Sequence, residues 1–194
     1  MKETVSNKAI SNFASLAGLA LGCVSAAYLL ITENISEWIN SPVAVSVINM
    51  VLWIAKFVGS IALMKYFMKR LVLGYEGVKN GHTLKLGILA SAFSALIFSA
   101  TILADMLYIN PDAIKEAYDM TMSIYGSSLD SNTLKAMEDV KGNLPTISFF
   151  AYLIYCFLYG LVLSAILARS IPHSDPCAEF RAEEQEDHTT DEEQ

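Results

Sequence analysis

A lysine in the middle of an otherwise apolar stretch is the residue of this chain best placed to do chemistry. Lys56 is the one charge between Val43 and Met64. In the centre of a membrane helix it would cost at least ~2.5–3.5 kcal/mol. It must therefore face the interior of a bundle, snorkel toward headgroups beside Lys65 and Lys69, or shed its proton. Asn49, seven residues earlier, and Ser60, four later, share its helical face. Asp105 is the other ionisable residue inside such a stretch, close to its end. The helical rise then offsets it from Lys56 by about 10 Å of depth, so a direct pair needs a helix shift or a long reach. The hydroxyls of Tyr152, Tyr155, Tyr159 and Tyr28 are the alternative partners. An intramembrane charge with polar neighbours is the chemistry of a small transporter or channel component.

Other constellations are missing. His82, His173 and His188 have no second ligand at metal-site spacing, so no metal and no cofactor is expected. Cys23, Cys156 and Cys177 form no disulfide framework, and the two inside apolar stretches read as small packing residues. There is no phosphate-binding loop, no nucleophile elbow and no paired intramembrane carboxylates. The basic residues cluster at the ends of apolar stretches, which suits lipid headgroups and gives nothing for nucleic acid. The pattern points away from an enzyme.

The elements that must position these residues are membrane spans. Of 194 residues, 54% are hydrophobic and 17% charged, against about 25% charge in a soluble domain. A bilayer core needs roughly 20 apolar residues in a helix, and four stretches supply them, about 13–31, 43–66, 84–108 and 146–169. The expected fold is all-α, an integral membrane four-helix bundle over residues 1–172. Ser41-Pro42 marks a helix start with a capping hydroxyl and a proline at the first helical position. Asn80-Gly81 reads as a turn ahead of span three, and Pro145 as the opening of span four. Lys65, Lys69, Arg70, Lys79 and Lys85 gather between spans two and three, which places that loop and both termini in the cytoplasm. Lys2 and Lys8 followed by Val24-Ser25-Ala26 also resemble a signal peptide cleaved after Ala26, although the apolar run continues through Ile31 as in a retained anchor.

Small residues recur every four positions in three of the spans: Ala14, Gly18, Gly22 and Ala26; Gly87, Ser91, Ala95 and Ser99; Cys156, Gly160, Ser164 and Ala168. In lipid such stripes let backbones approach closely. They face either another span of the same chain, the favoured reading, or a second copy in a homo-oligomer. The link 110–144 carries its own helix signals. Asn110-Pro111-Asp112 opens a run with Ile114, Ala117, Tyr118, Thr121 and Ile124 on one face, which Gly126 stops. A second short helix is expected from Ser131 to Gly142. Together they make an outer helical hairpin, either a plain connection or a surface for a protein partner. The short link bearing Glu33 and Glu37 faces the same side. Nine acidic residues and one basic residue from Asp175 onward cannot bury enough surface to fold. Residues 173–194 therefore read as a disordered acidic tail, either solvated or docking a basic partner. The formal net charge of −7 belongs to that tail.

The order of elements resembles the bacterial membrane proteins of domain-of-unknown-function family 4199. The likeness is carried by Lys79-Asn80-Gly81-His82-Thr83-Leu84-Lys85-Leu86-Gly87, similar to the family's glycine-bearing inner turn, and by Gly142-Asn143-Leu144-Pro145 before the last span. It covers about residues 8 to 171. It implies a bacterial inner-membrane protein of four spans, with no activity or catalytic residue to transfer.

Overall fold

The computed structural model describes residues 3–125 and 130–171. Five α-helices follow one another: α1 Asn7–Trp38, α2 Pro42–Gly74, α3 Asn80–Ala104, α4 Pro111–Tyr125 and α5 Ser131–Ser170, with a π-helical turn, Asp105–Ile109, between α3 and α4. Four of the helical stretches are long and apolar enough to cross a membrane: Asn7–Ile35, Pro42–Gly74, Asn80–Ile109 and Ser131–Ser170. Large apolar side chains such as Val43, Val47, Met50, Val51 and Val58 stand exposed along α2. In water that face would be an aggregation site; in a bilayer it is the expected lipid contact.

Local chemistry sets the helix starts. Ser6 Oγ accepts from Ala9 N–H at 3.1 Å at the head of α1. Ser41 Oγ accepts from Ala44 N–H at 3.5 Å, with Pro42 at the first helical position of α2. Asp130 accepts from both the N–H and the hydroxyl of Thr133 at the head of α5, and these bonds hold its carboxyl below the usual carboxylate range. Since the Ser6 bond is the shorter of the two serine caps, Ser6→Ala should cost about 1 kcal/mol and Ser41→Ala about 0.5 kcal/mol. Thermal unfolding of the two variants in detergent would rank them.

Three expectations are corrected. Asn80-Gly81 is the first turn of α3, capped at Lys79, whose N–H donates to His82 Nδ1 at 3.2 Å. The chain turns just before it, at Gly77, whose φ of +70° only glycine adopts freely. No break separates a short outer helix from span four, because α5 runs unbroken from Ser131 to Ser170 through Gly142 and Pro145. A membrane helix tolerates an internal proline where its neighbours re-satisfy the freed backbone groups. Finally, α1 continues to Trp38, so Glu33 belongs to a helix and not to a loop. The expected stop at Gly126, the side chains of Glu37, Ile114 and Ala117, and the acidic tail lie outside the described residues.

Helix packing is uneven, and the small-residue stripes explain why. A Cβ built on Gly18 would sit 2.5 Å from Phe93 Cβ and 2.8 Å from the Ala90 carbonyl oxygen, and one on Gly22 would meet Ile97 Cβ at 2.8 Å. Those glycines thus let α1 lie directly on α3. On its other side α3 meets α5 reciprocally. A Cβ on Gly87 would meet Ser164 Cβ at 2.5 Å, and one on Gly160 would meet Ser91 Cβ at 2.5 Å. The hydroxyls of Ser91 and Ser164 lie 3.4 Å apart across this seam, each also donating to the carbonyl four residues back. The α2 sequence has no such stripe, and α2 rests mainly against α1. Of the most apolar window of each span, 44% is buried in α3 and 6% in α2. The assembly is therefore a tight α1–α3–α5 sheaf with α2 on its flank. The dry core, including Ile10, Met68, Leu71, Leu86 and Leu167, lies toward the end where α2 turns into α3. Lys85 Nζ donates to Asn7 Oδ1 at 3.0 Å there, and Glu76 N–H donates to the Glu3 carbonyl oxygen at 3.0 Å.

Candidate functional site

Where α2 stands away from α5, the interior opens. The helical face Trp53, Lys56, Phe57 and Ser60 of α2 borders a cavity of about 220 Å3 that is open on one side. Its wall takes Ser25 from α1, Ser91, Ser94 and Phe98 from α3, and Tyr155, Cys156 and Tyr159 from α5. All four spans contribute.

Lys56 points into this space. Its Nζ lies 4.6 Å from the centroid of the Tyr28 ring and 4.6 Å from that of Phe98, a clamp of two aromatic faces from α1 and α3. A ring face attracts a cation by its quadrupole, most strongly where water is excluded. Nζ is thus held at mid-span between rings, and not drawn out toward Lys65 and Lys69. Tyr28 contributes its ring face where its hydroxyl was expected. Tyr155 and Tyr159 line the cavity, while Tyr152 supports the clamp from behind, edge-on to Phe98 at 6.0 Å. Asn49 lies two turns away on α2, outside the cavity lining, with its Oδ1 buried and without a hydrogen-bond partner.

Asp105 belongs to a separate group. Phe98 stands level with Lys56, and Asp105 is seven residues further along, about 10 Å by the helical rise. Its carboxyl is engaged locally. Asn110 Nδ2 donates to Asp105 Oδ1 at 3.0 Å, and the Asn110 N–H donates to the Asp105 carbonyl oxygen at 2.8 Å, closing the π-helical turn. Glu33, near the end of α1, lies beside Asp105. The expectation of no paired carboxylates is therefore corrected by Glu33 and Asp105, because α1 continues past its apolar segment and carries Glu33 alongside the end of α3.

The remaining polar feature joins α4 to the first turns of α5. Lys141 Nζ sits 4.0 Å from the Tyr118 ring centroid, and Lys115, Glu138 and Lys141 rim a shallow depression there. The described residues hold no group of three or more His, Cys, Asp or Glu side chains arranged to bind a metal ion.

A family model described as a protein of unknown function (DUF4199) matches residues 12–169. The chain belongs to the DUF4199 family. No curated protein and no solved structure matches it. The family region holds Glu33, Lys56 and Asp105 together with all three small-residue stripes, and it excludes residues 173–194. Membership supplies no chemistry, so the function of this DUF4199 chain has to be argued from the cavity.

Sequence reasoning found Lys56, Ser60, Tyr155 and Tyr159, but not the rest of the cavity face. Trp53 lies three positions before Lys56, and a search for residues three and four positions from an intramembrane charge would have found it; Phe57, next to Lys56 in the chain, carries no such signal. Ser25 and Ser94 carry no such signal. A serine in a membrane helix bonds its own backbone as readily as it faces a cavity.

Proposed function

We propose that this chain is a non-enzymatic protein of the bacterial inner membrane, with both termini in the cytoplasm, that holds a ligand from the bilayer in the Lys56 cavity. The single observation that carries this reading is the placement of Lys56. A lysine amino group held at mid-span between two rings, at the edge of a space of about 220 Å3, is costly unless a ligand uses it. The basic residues at the turn between α2 and α3 support the orientation. Gly18 and Gly22, which lie before Ala26, pack α1 onto α3, and this supports a retained first span.

Acting through lipid and acting through the intramembrane charge thus become one reading, in which the lipid phase supplies what Lys56 binds. A transporter component is the second reading, favoured by polar groups at two depths, Lys56 and the Glu33–Asp105 pair. A protein partner at the α4 hairpin or at the acidic tail, and assembly with a second copy, would be additions to either reading.

Native mass spectrometry of the detergent-solubilised protein tests the proposal. The wild-type protein and Lys56→Arg should carry a co-purified small molecule that Lys56→Met lacks. Lys56→Met should express and melt at least as well as wild type, because it removes a costly ionisable group from the membrane interior. Identical adducts in all three proteins would overturn the reading, as would turnover of a small molecule by the purified protein alone.

A further inference from the structure

The shape and depth of the cavity narrow the class of ligand. We propose that the Lys56 cavity takes the carboxyl head of a single-chain carboxylic acid, admitted sideways from the bilayer between α2 and α5. The inference rests on the ligand-binding reading above and adds the chemistry of the ligand.

Size comes first. An apolar cavity of about 150 Å3 holds one benzene, so about 220 Å3 accommodates roughly nine non-hydrogen atoms. That is a carboxyl group with the first several carbons of a chain. The headgroup and glycerol of a phospholipid exceed it, and its two acyl chains would need two exits. One chain needs one exit. The rim residues Trp53 and Tyr155, 57% and 68% exposed, and Phe57 lie on α2 and α5, which meet at this level through the Phe57 and Tyr159 rings, centroids 6.2 Å apart. The remainder of the chain would run past them into lipid.

Depth comes second. Lys56 is fourteen residues from the start of α2 and eighteen from its end, about 21 Å and 27 Å by the helical rise. A phosphodiester stays ionised and is held at the membrane surface, about 15 Å from the centre of a 30 Å hydrocarbon core. A carboxylic acid is different, because its protonated form is uncharged and reaches mid-depth without carrying charge. When the acid meets Lys56 as the free amine, the form that adds no charge at this depth, one proton moves from the carboxyl oxygen to Nζ. This gives an ammonium and a carboxylate, with no net charge created in the membrane. Tyr28 and Phe98 already stand where they stabilise that ammonium. Ser25, Ser60 and Ser94 line the same space and offer hydroxyl donors to the carboxylate, which accepts charge-assisted bonds.

Trp53 at the rim is a built-in reporter. With about nine ligand atoms enclosed, the middle of an eighteen-carbon chain emerges beside it. The experiment uses the full chain in phosphatidylcholine nanodiscs, with Trp38→Phe to leave Trp53 as the sole tryptophan. Stearic acid brominated at mid-chain is titrated, alongside its methyl ester and a phosphatidylglycerol brominated at mid-chain. The acid should quench Trp53 saturably. The ester should bind at least ten-fold more weakly, Lys56→Met should weaken the acid by a similar factor, and Lys56→Arg should retain it. Equal saturable quenching by acid and ester, both weakened by Lys56→Met, would overturn the carboxylate while leaving the cavity reading intact. Tighter binding of phosphatidylglycerol than of the acid would overturn the single-chain assignment in the same way. No saturable quenching by any probe, together with no Lys56-dependent adduct in native mass spectrometry, would overturn both.

Discussion

Gly160→Ala is expected to lower the stability of the bundle by about 1–3 kcal/mol, the usual cost of forcing a methyl group into a packed interior. The new Cβ would stand 2.5 Å from Ser91 Cβ, where two carbons settle at about 3.5–4.0 Å, so α3 and α5 would have to separate by about 1 Å. Gly87→Ala should behave alike, since its Cβ would meet Ser164 Cβ at 2.5 Å. In lipid the loss is not recovered elsewhere. Association there depends on close contact and dispersion, with no hydrophobic drive behind it. The reciprocal geometry makes the prediction specific. Ser91→Gly should restore most of what Gly160→Ala loses, with a coupling of about 0.5–3 kcal/mol between the two sites. Gly18→Ala should find no such rescue by trimming Phe93, because the Ala90 carbonyl at 2.8 Å is backbone and cannot be trimmed. Thermal unfolding in detergent, read by helical circular dichroism, checks each variant. A Gly160→Ala protein of unchanged melting temperature but altered oligomeric mass would instead assign the stripe to a contact between copies.

The same seam shows how far the sequence could be read. The three helices with small-residue stripes are the three that pack closely, and the one without a stripe, α2, is the one on the flank. That asymmetry was written in the spacing of Gly18, Gly22, Gly87, Ser91, Gly160 and Ser164, and the cavity is its consequence. A helix bearing Trp53 and Phe57 in place of glycines cannot close against its neighbours. Helix ends were less legible, because hydropathy measures where the apolar stretch stops and a helix does not have to stop there. Polar residues carry α1 on to Trp38, α2 on to Gly74 and α5 back to Ser131. Asn80-Gly81 and Pro145 misled for a related reason. The first turn of a helix has unpaired N–H groups whatever its sequence, so a turn dipeptide fits there as readily as in a loop. The Glu33–Asp105 pair was hidden because it depends on two helix ends at once.

Asp105→Leu is expected to cost about 1–3 kcal/mol, by leaving polar partners of a buried group unsatisfied, whereas Asp105→Asn should cost little. Asp105 is 6% exposed, while the three residues that end its π-helical turn, Leu107, Tyr108 and Ile109, are all turned outward. Inserting one extra residue into a helical turn produces that result. It keeps one side chain inward while rotating the following ones away, and such turns are frequent at functional sites. The inward carboxylate then does three things: it accepts from Asn110 Nδ2 at 3.0 Å, it meets Glu33, and it ties the end of α1 to the end of α3. An asparagine at 105 can repeat each bond, accepting from Asn110 through its oxygen and donating to Glu33 through its own N–H. Leucine can do none of this. Asn110 precedes Pro111 at the start of α4, so the loosening should travel outward. Amide hydrogen exchange in Asp105→Leu should rise at the end of α3 and through α4 and stay unchanged across the Gly87–Ser164 seam, with Asp105→Asn matching wild type throughout. Uniformly faster exchange in the leucine variant would mean that Asp105 supports the whole bundle. Unchanged exchange in both variants would mean that the carboxyl pair carries no structural load.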